Sequence, residues 1–129
     1  MNAITDLNAW QLAEAIAGGE TTAVEATQAY LDVIAVRDGE IQAYNETYAG
    51  PALARAKQLD DNRATGKTSG PLSGVPVAIK DNLCTSYGRT TCASKYLADF
   101  RAPYTATAVT KLEAAGAIIL GKANLDEFA

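Results

Sequence analysis

A lysine, a carboxylate and an amide stand side by side at Lys80, Asp81 and Asn82, directly after the apolar run Val75-Pro76-Val77-Ala78-Ile79. The chain has no histidine among its 129 residues. Proton transfer near neutral pH therefore falls to a group whose pKa its surroundings have moved. A lysine leaving an apolar strand fits, because desolvation disfavours an ammonium and can lower a buried lysine by about 3–5 units. The plainer alternative is a snorkelling Lys80 whose head pairs with Asp81. The loops at the C-terminal ends of parallel strands are where open α/β sheets build their sites, which favours the catalytic reading.

A base needs a nucleophile to serve. Ser73, Thr85, Ser86, Thr90, Thr91 and Ser94 all lie near Lys80 in sequence. None sits in a glycine-rich turn that would expose its oxygen and offer backbone donors to an oxyanion, so they read as turn formers and caps. Cys84 and Cys92 have no histidine or further cysteine beside them and cannot complete a four-ligand zinc site. They read as two half-buried thiols. Gly66-Lys67-Thr68 looks like the end of a phosphate-binding loop, but that motif needs a glycine where the chain has Asp61, and a preceding strand. Nucleotide binding there is rejected. Asp126 and Glu127 have two readings: they line a polar path, or they favour a helix N-terminus.

The elements that must position Lys80 follow from periodicity. Leu7, Trp10, Leu12, Ala13, Ile16 and Ala17 recur near a 3.6-residue period, and Gly18-Gly19 ends that helix. Thr22-Ala23-Val24-Glu25 has the spacing of a capping box. The helix it opens is expected to run to about Arg37, with Val24, Thr27, Tyr30, Leu31 and Ile34 inward and Asp38-Gly39 as its end. Ile41 to Tyr48 reads as extended. Pro51 opens a third helix to about Arg63, and a polar stretch from Asp60 to Pro71 divides a helical region, 1–70, from an α/β region, 71–129. In the latter, Val75 to Ile79 is a strand expected to be buried on both faces. Thr105 or Thr107 opens a helix to Ala115, closed by Gly116, and Ala117 to Leu120 is a second buried strand. Strand, helix and strand make a parallel crossover. Two such strands leave unpaired edges, so the chain reads as the opening of a larger α/β protein.

The hydrophobic share of 48% and charged share of 20% suit a globular chain. The net charge of -4 and the absence of a basic cluster disfavour direct binding of a nucleic-acid backbone. No apolar run approaches about 18 residues and the first residues lack a secretory pattern, so the expected location is cytoplasmic, with no membrane contact.

Three stretches carry a resemblance: Gly74-Val75-Pro76-Val77-Ala78-Ile79-Lys80-Asp81-Asn82, then Thr90-Thr91-Cys92-Ala93-Ser94-Lys95, then Gly121-Lys122-Ala123-Asn124-Leu125-Asp126-Glu127-Phe128-Ala129. Together they resemble the amidase signature family. The second and third are more typical of those members that release ammonia from glutamine for a partner that amidates Glu-tRNA(Gln). The resemblance implies a mixed α/β sheet with surrounding helices and a triad of a serine nucleophile, a second serine on a cis peptide, and a lysine. Lys80 matches the lysine. The family places both serines and the glutamine-binding residues beyond Ala129, so the 129 residues alone are expected to be inactive. Glu127 is the residue expected on an ammonia path. The resemblance also implies a hetero-oligomer in which the partner holds ATP, magnesium and most of the tRNA contact, with no cofactor or metal in this chain. Another amidohydrolase acting on small amides, or a non-catalytic interaction module, remain as alternatives.

Overall fold

The structure is a computed structural model that describes residues 3–67 and 69–129. Its elements are α1 (Ala9–Gly18), α2 (Ala23–Ile41), β1 (Tyr44–Thr47), α3 (Ala49–Ala64), β2 (Pro76–Lys80), α4 (Thr107–Ala114) and β3 (Ile118–Ala123). Short 3-10 turns at Ile4–Asp6 and Lys95–Leu97 complete the set.

Local chemistry sets the helix starts. Asn8 caps α1, accepting from the Gln11 N–H at 2.9 Å while the Gln11 side chain accepts from the Asn8 N–H at 3.0 Å. Thr22 and Glu25 form the expected box at the start of α2. A tertiary partner adds to it: the Asp60 carboxylate accepts from the Ala23 and Val24 N–H groups at 2.9 and 3.0 Å. A carboxylate there meets the positive end of the helix dipole and ties α3 to α2.

Several boundaries depart from the sequence expectation. α2 runs through Asp38-Gly39 to Ile41 and stops at Gln42, which takes a left-handed conformation at φ 54°. The Asp38 carboxylate accepts from the backbone N–H groups of Ala43 and Tyr44, at 2.7 and 3.3 Å. It caps the exit of the helix from inside the last turn. Trp10 sits on the exposed side of α1, 71% accessible, whereas Leu12 and Ile16 are buried. α4 begins with no side-chain cap; the Thr105 hydroxyl instead meets Ser86, accepting from its N–H at 3.0 Å. Of the apparent phosphate loop, Thr68 lies outside the described residues, and Gly66-Lys67 follows a helix.

The three strands form one mixed sheet in the order β1-β3-β2. β2 is parallel to β3 and β1 antiparallel to it. β3 is therefore the central strand, and it is buried from Ile118 through Lys122. β2 is an edge strand in which only Ile79 is buried, which corrects the expectation of burial on both faces. Alternation along β3 splits the core. Ile118 and Leu120 join Ala23, Leu31, Ala52, Ala56 and Leu59 beneath α2 and α3. Ile119 joins Tyr48, Ile79 and Val109 beneath α4. Full burial of each large aliphatic side chain contributes roughly 1.5–3 kcal/mol. The first cluster draws on both sides of residue 70, and β1 from the first half pairs with β3 of the second.

Candidate active site at the C-terminal end of the parallel strands

β2 ends at Lys80, whose register partner on β3 is Ala123. Its side chain is exposed, and among the described residues its ammonium has no hydrogen-bonding or ion-pair partner. The pairing of Lys80 with Asp81 envisaged from the sequence is thus absent. The two residues point into different surroundings: Lys80 ends the strand facing solvent, and Asp81, in the turn that follows, faces inward.

Asp81 is turned inward and fully buried. Its Oδ1 accepts from the Lys122 ammonium at 3.2 Å and from the Thr91 N–H at 3.2 Å. Its Oδ2 accepts from the Asn45 amide at 2.9 Å and from the Thr91 hydroxyl. Burial pushes the carboxyl upward, but the Thr91 hydroxyl, the Asn45 amide, the Thr91 N–H and Lys122 together outweigh it and hold it below its ordinary value. The backbone of Asp81 is held as well: its N–H donates to Ala123 O and its carbonyl accepts from Cys92 N–H, both at 2.9 Å.

The buried lysine of this site is Lys122, not Lys80. Lys122 is 0% exposed. Besides Asp81, its ammonium donates to Thr90 Oγ1 and to the Arg89 carbonyl, each at 2.9 Å. All three donors of the ammonium are thereby satisfied. A lysine inside an apolar strand normally reads as an exposed or edge feature. The signal that could have singled it out is the run Ala117-Ile118-Ile119-Leu120 continuing through Gly121, which extends the buried strand past Lys122.

The hydroxyls behave as turn and network formers. Thr85 donates to Tyr87 O, Thr91 to Asp81, and Ser94 caps the 3-10 turn through the Tyr96 N–H at 3.2 Å. Ser94 also donates to Glu127 Oε1 at 2.7 Å. Glu127 is therefore tied to Ser94 rather than to Lys80 or Asp81, and the backbone after β3 turns instead of entering a helix. Cys84 and Cys92 are free and half-buried. Cys92 and Ala93 both adopt left-handed backbone, at φ 51° and 53°. Non-glycine residues hold that conformation only where their surroundings impose it, and such strain gathers at functional sites. Among the described residues no three His, Cys, Asp or Glu side chains come together as a metal site, and no helix is long and apolar enough to cross a membrane.

Comparison with known proteins gives this geometry a context. Residues 25–129 match the family model described as Amidase. The chain is 53% identical over all of its 129 residues to the A subunit of the glutamyl-tRNA(Gln) amidotransferase of Thermobifida fusca, covering 26% of that protein. It is 50% identical over 123 residues, 95% of the chain, to the same component of the Moorella thermoacetica enzyme, covering 25% of it. Among solved structures, the peptide amidase of Stenotrophomonas maltophilia superposes with a TM-score of 0.90 at 36% identity, over 96% of this chain and 26% of that one. The chain thus spans about a quarter of the length of the curated relatives it matches.

Proposed function

The chain belongs to the amidase signature family, and on that footing we propose that it forms the lysine-bearing part of a glutaminase serving the amidation of Glu-tRNA(Gln). The intact protein hydrolyses the side-chain amide of glutamine to glutamate and ammonia. The ammonia passes to a partner, which activates the misacylated glutamate with ATP and magnesium and completes the amide. In this reading Lys80 is the base: it takes the proton of a serine nucleophile through a bridging serine and returns it to the departing ammonia. Both serines belong to the remaining length of the relatives. Glu127 is kept as a residue of the ammonia route.

One observation carries the assignment. The carboxylate next to Lys80 in sequence is already neutralised by Lys122, with the 3.2 Å ion pair wholly buried. Lys80 therefore stands free at the exposed end of a parallel strand, where a site forms in such sheets. Were Asp81 turned toward it, the ammonium would be held by an ion pair and could less readily yield or accept a proton. The high identity to the amidotransferase components favours glutamine over other amides. The net charge of -4 is compatible with a partner that carries most of the tRNA contact.

The likeness to a peptide amidase supports a second reading, an amidohydrolase that acts on small amides without tRNA. The test is turnover of glutamine against simple amides by the intact enzyme, with its partner subunits, in the presence and absence of Glu-tRNA(Gln). The glutaminase reading predicts that glutamine is preferred and that Glu-tRNA(Gln) becomes amidated. Equal turnover of simple amides with no product on tRNA contradicts it.

A further inference from the structure

Burial of the Lys122–Asp81 pair is weak evidence that it contributes to stability. A buried ion pair can often be replaced by apolar side chains of similar volume without loss, whereas a half-broken pair is costly. What such a pair does well is select one arrangement among several. Here the arrangement selected is that of the segment after β2. The three groups that satisfy Lys122 are Asp81 Oδ1, Arg89 O and Thr90 Oγ1, and all belong to residues 81–90. None comes from β3 itself.

The same segment leads into the consecutive left-handed residues Cys92 and Ala93. Cys92 is fixed by its N–H to Asp81 O, and Ala93 by its N–H to the Thr91 hydroxyl at 3.2 Å. Thr91 in turn is clasped to the Asp81 carboxylate through both its N–H and its hydroxyl. These constraints on the loop converge on Asp81, whose carboxylate is held inward by Thr91, Asn45 and the Lys122 ammonium together.

Asp81 is bonded directly to Lys80. Its N–H is pinned to Ala123 O, one residue beyond Lys122 on β3. Rotating the Asp81 side chain outward would free it to approach Lys80 and would release the strained turn.

We propose that Lys122 is the positioning residue for Lys80: by anchoring Asp81 and the loop that follows it, Lys122 fixes the end of β2 from which Lys80 projects. This rests on the reading of Lys80 as the base. In this role Lys122 touches neither substrate nor the reacting atoms and acts through Asp81 and the loop that carries Arg89 and Thr90.

The experiment uses the intact enzyme and compares Lys122→Met, Lys122→Arg and the charge-neutral double variant Lys122→Met/Asp81→Asn. Folding is monitored by circular dichroism and thermal melting, and kcat and KM for glutamine are measured per folded molecule. Positioning predicts a kcat lowered about 10²-fold in Lys122→Met, the scale of a misplaced catalytic group. KM stays within about twofold, as for an interaction made in the reaction and not in binding. Lys122→Arg, which keeps a cation against Asp81, regains at least about tenfold of the lost kcat. Should Lys122→Met fail to fold, the double variant decides, since it leaves no buried charge unpaired. A folded double variant with reduced kcat supports positioning, because its loop has lost the anchoring charges. A folded double variant with wild-type kcat overturns it, because the charges then serve folding alone. Lys80→Ala tells this failure from failure of the premise: undiminished turnover in Lys80→Ala removes the base itself, whereas a dead Lys80→Ala beside a fully active double variant removes only the positioning role.

Discussion

At the scale of single residues, the site is governed by which lysine is buried and which is free. Asp81 answers that question through its titration. Its carboxyl is depressed in the folded chain, so the folded state binds the acid proton less readily than the unfolded state. Its contribution to stability is fully present above about pH 4, the ordinary aspartate value, and fades as pH falls through the lower folded-state value. Thermal midpoints of the protein should drop on the acid side of about pH 4, and Asp81→Asn should flatten that limb while lowering stability at neutral pH. Parallel acid limbs in the two proteins would contradict the network. Thr27 makes a simpler case. Its hydroxyl is fully buried in α2 and has no hydrogen-bond partner among the described residues. Thr27→Val removes that unsatisfied group at nearly constant shape and should stabilise by about 1 kcal/mol in denaturant unfolding; a loss of stability would show that the hydroxyl is satisfied after all. The inward position of Thr27 is legible from helical period, because it depends only on neighbours along one helix. The contrast between an exposed Lys80 and a buried Lys122 is not. It depends on which strand is central, and strand order is set by pairing across distant segments.

At the scale of elements, signals within one turn of chain are legible and those between distant segments are not. The Thr22–Glu25 box is of the first kind, because both partners lie in the same helical turn. Thr22→Ala should cost about 1 kcal/mol, within the usual range for a lost cap, as a lower unfolding midpoint with an unchanged denaturant slope. The end of α2 is of the second kind. Asp38-Gly39 normally signals a stop, yet a side chain at Gly39 would meet open space and Asp38 acts on residues beyond the helix. An apolar β2 reads as a central strand, and its edge position is visible only with β1 on the far side of β3. Gly121 marks how close β1 comes. A Cβ there would collide with the Glu46 carbonyl and lie 2.9 Å from the Thr47 Cα. Gly121→Ala should therefore destabilise by about 1–3 kcal/mol and loosen the β1–β3 pairing, seen as faster amide exchange in Tyr44–Thr47. Unaltered exchange there would show that the strands separate without cost.

At the scale of the whole molecule, three strands and four helices among the described residues pack around a sheet with apolar clusters on both faces, while the relatives are about four times as long. The family is legible from short stretches around Lys80, Thr91 and Asn124, since strand, lysine and following loop are contiguous in sequence. A nucleophile for Lys80 is not legible in these stretches, because Thr85, Thr91 and Ser94 are spent on turns and on the Asp81 network. On this account the 129 residues alone should release no ammonia from glutamine above background, whereas the intact enzyme does. The proposed role of Lys80, free of Asp81, is that of the base. It is tested most directly by glutamine hydrolysis in the intact enzyme carrying Lys80→Ala, with folding and assembly with partners checked in the same preparation. The expected result is a folded, assembled enzyme whose ammonia release falls by at least about 10³-fold, the scale of losing a member of a nucleophilic triad. A folded Lys80→Ala enzyme that still hydrolyses glutamine at the wild-type rate would contradict it.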